Sequence, residues 1–281
     1  MSIFSTLIDQ TAKKAAEANP PKPGDYIGAN NLLYCGICNT PKQTVIPGWG
    51  GRNASEVVPC NCSCKEAELQ QEIKERERET RIVRLRESAF DHRAMLSKTF
   101  DNDNNNNPQL TEAMRRFCAM ITDKPQEEWT GLLLWGNKGI GKSYAAAEVV
   151  NELVNNGIPA KMVTFARIRD EKFSAERKAE YMDRLISTCV LAIDDFGAEG
   201  GTQYMNELVY EVIDARCRTG LPLIVTTNLT IDEIKNAQSD TQGRVCDRIL
   251  EMCHPIHVEG KSQRRQQAAE RYADMKDYFG M

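Results

Sequence analysis

Four short apolar runs punctuate the C-terminal two-thirds of the chain: Leu132–Trp135, Lys161–Phe165, Val190–Ile193 and Leu223–Thr227. Each has the length of a buried strand. Helical patterns lie between them, for example Tyr144–Asn155 and Tyr204–Thr219. The second carries Leu208, Val209, Val212 and Ile213 and stops at Gly220. Ahead of the first strand, Leu110, Met114, Phe117 and Ile121 share one face of a helix over Pro108–Ile121. Strand–helix alternation of this kind predicts an α/β fold, a mainly parallel sheet covered by helices on both faces.

The N-terminal third follows another pattern. Ile3, Leu7, Ile8 and Ala12 fall on one side of a short amphipathic helix over residues 2–18, which Asn19-Pro20-Pro21-Lys22-Pro23-Gly24 breaks. Tyr26 to Lys65 holds clustered cysteines around a turn-rich Pro47-Gly48-Trp49-Gly50-Gly51. This stretch is too small for an apolar core and needs a staple. Residues 66–87 alternate in charge without Gly or Pro, which predicts a long exposed helix with i,i+4 pairs such as Glu72–Arg76 and Glu77–Arg81. It reads as a solvated connector, with DNA contact by its arginines as the competing reading. The polar run Asp101–Asn107 marks a loop. The chain thus divides into an N-terminal module (1–65), a helical linker (66–99) and an α/β domain (100–281).

Composition narrows the function classes. A net charge of -4 gives no overall basic field, so any nucleic-acid contact must come from a local patch. No apolar run approaches a membrane span, and MSIFSTLIDQ lacks the pattern of a secretory signal, so a cytoplasmic protein without membrane contact is expected. The ten cysteines are then expected to stay reduced by compartment alone. Cys118, Cys189, Cys217, Cys246 and Cys253 sit among apolar neighbours and read as small buried hydrophobes.

The chemistry concentrates at Gly136-Asn137-Lys138-Gly139-Ile140-Gly141-Lys142-Ser143, which matches G-x-x-x-x-G-K-[ST] between a strand and a helix. Its glycines let backbone N–H groups turn toward phosphates, and the helix N-terminus adds its positive end. Lys142 is placed for the β- and γ-phosphates of ATP, and the Ser143 hydroxyl for Mg2+. Downstream, Cys189-Val-Leu-Ala-Ile-Asp194-Asp195 is an apolar strand ending in two acids, as in a Walker B motif. Asp194 is expected to hold Mg2+, and Asp195 to orient or deprotonate the attacking water.

Cys35-Gly-Ile-Cys38 is one knuckle, and Cys60-Asn-Cys62-Ser-Cys64 supplies three more thiols. Four thiolates suit a structural Zn2+, and metal-coupled folding suits a segment without a core. Five thiols compete for four places, and spacing leaves open which of Cys60, Cys62 and Cys64 is spare.

The order of further motifs resembles AAA+ ATPases of the DnaC/DnaI helicase-loader and IstB-like group. Phe196-Gly197-Ala198-Glu199 resembles that group's Walker B extension, and Leu223-Ile-Val-Thr-Thr227-Asn228 resembles sensor 1. Gly243-Arg244-Val-Cys-Asp247-Arg248-Ile-Leu resembles the helix bearing the arginine finger, and Lys261-Ser-Gln-Arg264-Arg265 the sensor 2 region. The resemblance spans roughly Phe100 to Arg265. It implies an AAA+ domain in which Arg248 reaches a neighbouring subunit's nucleotide and Arg264 its own, through self-association. It also favours Cys62 and Cys64 as zinc ligands beside Cys35 and Cys38, with Cys60 spare. Many AAA+ proteins carry Glu where this chain has Asp195, so slow hydrolysis is expected, suited to a switch.

The resemblance further implies an ATP-dependent loader of a DnaB-type hexameric replicative helicase onto single-stranded DNA, from a bacterium, phage or prophage. The N-terminal module would grip the helicase, and single-stranded DNA would stimulate hydrolysis. Thr202, Gln203 and Tyr204 begin a helix just after Walker B, and Thr202 and Tyr204 are candidate DNA contacts. An ordinary N-cap with a packed tyrosine is the competing reading. Arg167, Arg169 and Lys172 form a second basic candidate. Two other functions share the ATPase core: an IstB-like transposition helper, and a nucleotide-gated adaptor with little hydrolysis. The cysteine module favours the loader.

Overall fold

The computed structural model describes residues 20–47, 56–174, 178–237 and 240–279. The helix expected over 2–18 and the Gly48–Gly51 turn lie outside them. The chain forms two compact units, Met1–Glu79 and Thr80–Met281.

The first unit is built from two small hairpins. β1 (Tyr26–Ile27) pairs antiparallel with β2 (Leu33–Tyr34), and β3 (Gln43–Ile46) with β4 (Glu56–Pro59). Among the described residues its buried side chains are few: Leu32, Val58, Cys35, Cys62 and Lys42. Lys42 Nζ lies 2.7 Å from Asp25 Oδ2 and donates to the Pro20 carbonyl at 2.6 Å. Asp25 also accepts from the backbone N–H groups of Lys22 and Gly36 at 2.7 and 3.0 Å. The Lys42 bond and then those two amides pull the Asp25 carboxyl down to about 2. Gly36 must be glycine, because a Cβ there would stand 2.1 Å from the Gly24 carbonyl oxygen. A long helix, α1 (Ser63–Ala89), follows; it is dense in charge, and among its described residues beyond the first turn only Ala89 is buried.

The second unit contains α2 (Pro108–Asp123), β5 (Gly131–Trp135), α3 (Lys142–Asn155), β6 (Ala160–Thr164), α4 (Phe165–Ser174), α5 (Lys178–Ser187), β7 (Val190–Phe196), α6 (Gln203–Thr219), β8 (Leu223–Thr227), α7 (Ile231–Lys235), α8 (Asp240–Met252), β9 (Cys253–His257) and α9 (Gln263–Phe279). The five strands pair in parallel in the order β6-β7-β8-β5-β9. Leu132, Leu134, Ala192 and Ile224 enter the core on one face. Leu133, Leu191, Ile193 and Val225 enter the core on the other. Period-two alternation within uniformly apolar strands thus buries both faces, the α/β architecture expected from the chain pattern.

Two differences have physical reasons. β9 (Cys-His-Pro-Ile-His) is an edge strand with three exposed positions, and it lacks the apolar run that marks the other four. The polar run at 101–107 is more than a spacer. Asn107 caps α2, its side chain accepting from the Leu110 amide at 3.1 Å, and Thr111 Oγ1 donates to Asp103 Oδ2 at 2.6 Å. Of the scattered cysteines, Cys118, Cys246 and Cys253 are buried, whereas Cys189 and Cys217 are half-buried.

Candidate nucleotide site and thiol cluster

The β5–α3 turn winds around the Lys142 side chain. Gly136 takes φ +142, and a Cβ there would meet the Val258 carbonyl oxygen at 2.4 Å. The chain can therefore pass close beneath β9's exit only without a side chain. Lys142 is 5% exposed. Its ammonium donates to the carbonyls of Gly136 (2.7 Å) and Asn137 (2.6 Å) and to Asn228 Oδ1 (2.9 Å). Burial lowers its pKa, while Asp195 and then Asp194 oppose the shift.

The strand order sets β8 between β5 and β7, so Asn228 at the end of β8 lies between the Lys142 loop and the acid pair. β7 is irregular between Ile193 and Phe196, where its register with β8 shifts. Asp195 there takes φ +54, a conformation that Asp tolerates better than most side chains. Thr226 braces this bulge: its Oγ1 donates to Asp194 Oδ1 at 2.6 Å and accepts from the Asp195 amide at 3.0 Å. Thr227 Oγ1 donates to the Phe196 carbonyl at 2.7 Å.

A cleft of about 780 Å3 opens over this constellation. Residues 138–143, Asp195, Asn228 and Arg264 line it. Arg264 arrives at the start of α9, where the Gln263 amide donates to the Gly139 carbonyl at 2.9 Å. Met95, Lys98, Asp103, Leu110, Tyr144 and Glu148 wall the same cleft. Two residues of α3 hold that wall. Asn151 Nδ2 donates to the carbonyls of Met95 and Lys98 at 2.9 and 2.7 Å, and Tyr144 Oη donates to the Asn102 carbonyl at 2.9 Å. The motif reading missed Thr226, Tyr144, Glu148 and Asn151. The two threonines closing an apolar strand, and a polar residue at a buried helix position, were the available signals.

The geometry therefore gathers Lys142, Ser143, Asp195, Asn228 and Arg264 around one cleft, with Asp194 bonded behind it. It does not bring Arg248 there. Arg248, on α8, is 3.0 Å from Glu251 and 3.6 Å from Asp214, half exposed. Thr202 and Tyr204 also lie away from the cleft. The Thr202 hydroxyl caps α6 by accepting from the Met205 amide at 3.3 Å. Tyr204, 39% exposed, sits against Phe173 with ring centroids 5.2 Å apart. Arg167, Arg169 and Lys172 face acids: Arg167 pairs with Glu171, Arg169 with Asp170 at 2.8 Å, and Lys172 with Glu211 at 2.6 Å.

In the first unit the Sγ atoms of Cys35, Cys38, Cys62 and Cys64 lie within 4.8 Å of one another. All ten cysteines are free thiols. The Cys35 amide donates to the Thr40 carbonyl and the Cys60 amide to the Lys42 carbonyl, which brings the two thiol segments together. Cys60 Sγ instead faces the Pro41 carbonyl at 3.6 Å. A four-thiol group of this size fits a tetrahedral Zn2+ with no oxygen ligand. Among the described residues no helix is long and apolar enough to cross a membrane.

The sequence profile of IstB-like ATP binding proteins matches residues 61–271. The chain is 25% identical over 194 residues to the replicative helicase loader DnaI of Bacillus subtilis, covering 64% of this chain and 62% of DnaI, so it spans less than two-thirds of that relative's length. It is 27% identical over 198 residues to a putative ATP-binding protein, Rv3427c, in an insertion sequence of Mycobacterium tuberculosis, covering 69% of this chain and 77% of the relative. The fold is similar to a crystal structure of DnaI, with TM-score 0.54 and 22% identity over 64% of this chain and 99% of that one.

Proposed function

This chain belongs to the family of IstB-like ATP binding proteins, and from that premise we propose that it is an ATP-hydrolysing loader of a DnaB-type hexameric replicative helicase onto single-stranded DNA. The observation that carries the ATP part is the convergence of Lys142, Asp195, Asn228 and Arg264 on one cleft at the strand ends. Residues 136–143 would hold the phosphates, with Lys142 exchanging its carbonyl partners for phosphate oxygens. Ser143 and Asp194 would hold Mg2+, which when bound neutralises phosphate charge. Asp195 would position water, and Asn228 and Arg264 would contact the terminal phosphate. Arg248, outside its own chain's cleft, would complete a neighbour's site in a self-associated form.

The helicase part rests on the resemblance to DnaI and on the thiol cluster. Residues 1–65, with Zn2+ on Cys35, Cys38, Cys62 and Cys64, would form the helicase-binding module, 66–99 the linker and 100–281 the ATPase domain. Thr202 and Tyr204 would touch single-stranded DNA. The relative from an insertion sequence favours a second reading, a transposition helper ATPase. Nucleotide binding and partner capture test both. Lys142→Ala should abolish ATP binding, and the wild-type chain should capture a DnaB-type hexamer. Intact nucleotide binding in that variant would overturn the phosphate site. Capture of a transposase in place of the helicase would replace the loader by the helper.

A further inference from the structure

Glu148 is a buried acid that the phosphate chemistry does not use. It is 2% exposed, and its Oε1 has no hydrogen-bond partner among the described residues. Yet it lines the cleft. A buried carboxyl oxygen left unbonded is costly, so it marks a place where an arriving group could be bound. Glu148 follows Lys142 by six residues on the same helix, about 9 Å farther along the axis at ~1.5 Å per residue. Lys142 and Glu148 line the same cleft, so one bound molecule of that length can touch both. There the cleft walls are apolar on Met95 and Leu110, and Asn151 and Tyr144 hold the opposing segment in place.

We propose that Glu148 recognises the base of the bound nucleotide, pairing with the N6 amine and N1 edge of adenine. This rests on the nucleotide-binding reading of the cleft. Burial first, and then the neighbouring Asp103, pushes the Glu148 carboxyl up to about 8. Asp103 is itself held as an acceptor by the Thr111 hydroxyl and the Asn105 amide. At neutral pH the Glu148 side chain is then a carboxylic acid with one donor and one acceptor oxygen. Adenine offers the complement along one edge, an acceptor N1 beside an amine donor. A side-chain amide has the same pair of functions and also binds adenine in a bidentate manner.

The test compares calorimetric affinities of the full chain for ATP and for purine riboside 5′-triphosphate, which lacks only the amine. The wild type should bind ATP about tenfold more tightly, the worth of one good hydrogen bond to a buried group. Glu148→Leu should remove that preference, and Glu148→Gln should keep most of it. Equal wild-type affinities, or a preference that survives Glu148→Leu, would overturn the proposal. Should Glu148→Leu not fold, the wild-type comparison and Glu148→Gln decide the matter, a Gln variant without preference counting against. Failure of the underlying reading looks different: neither triphosphate would bind the wild type, or Lys142→Ala would leave both affinities unchanged.

Discussion

The Thr226 hydroxyl donates to Asp194 Oδ1 at 2.6 Å while accepting from the Asp195 amide at 3.0 Å, so one side chain fixes both acids of the strand end. The bond to Asp194 leaves that carboxylate one fewer free lone pair and orients the others. The bond from Asp195 stabilises the left-handed backbone at that residue. Thr226 is fully buried, and its isostere valine would keep the packing and lose both bonds. Thr226→Val should lower ATP turnover at least tenfold while leaving nucleotide affinity within about threefold, with a stability loss of about 1–3 kcal/mol. Single-turnover hydrolysis beside equilibrium binding measures the split. Unchanged turnover would show that the acids hold their geometry without the brace.

β5, β7 and β8 were legible because each is an apolar run that ends at Gly, Asp or Asn, and β6 because Met162 and Val163 form its apolar centre. The phosphate loop was legible because its chemistry demands a fixed spacing of Gly and Lys. What the chain hid depends on contacts distant in sequence. β9 is a strand only because it lies along β5, Leu134 opposite Ile256, and its own residues carry little strand signal. One wall of the cleft comes from residues 95–111 closing onto α3 through Asn151 and Tyr144. No periodicity encodes that closure, so the polar run reads only as a loop. Arg216 was hidden for the same reason, since a helical arginine normally faces water.

Arg216 has no exposed surface, and it donates to the carbonyls of Ile186, Thr188, Cys189 and Pro222 at 2.5, 2.5, 2.8 and 2.6 Å. These carbonyls belong to the last turn of α5, the link entering β7 and the link entering β8. Burial draws the guanidinium pKa down to about 10, yet it remains charged at neutral pH. Only a planar fork reaches four acceptors at once. Arg216→Ala should cost about 3–5 kcal/mol in chemical denaturation of the second unit, as expected when buried carbonyls lose their donor. Arg216→Lys should recover less than half. A loss below 1 kcal/mol in the alanine variant would mean that water replaces the guanidinium.

The thiol cluster predicts a simple asymmetry among five cysteines. Cys35→Ser, Cys38→Ser, Cys62→Ser and Cys64→Ser should each release bound zinc or weaken it by orders of magnitude. Cys60→Ser should retain it, because its Sγ faces the Pro41 carbonyl outside the converging four. Metal analysis after dialysis against a mild chelator reads the difference. Zinc retained in Cys62→Ser and lost in Cys60→Ser would exchange their roles.

Glu148 also predicts how stability depends on pH. Its carboxyl rises from 4.5 to about 8 on folding, so between those values the folded chain keeps a proton that the unfolded chain releases. Stability therefore falls as pH rises through that window, by up to about 1.4 kcal/mol per pH unit, and levels off above pH 8. The groups that interact with it are Asp103 from the loop before α2, Arg115 and Cys118 from α2, and Tyr144 on its own helix. Glu148→Gln cannot titrate, so its stability advantage over the wild type should grow from pH 5 to pH 8 and then stay constant. Thermal unfolding of both proteins across that range checks it. A constant difference at every pH would mean that Glu148 is ionised in the folded chain, and that Arg115 compensates its charge.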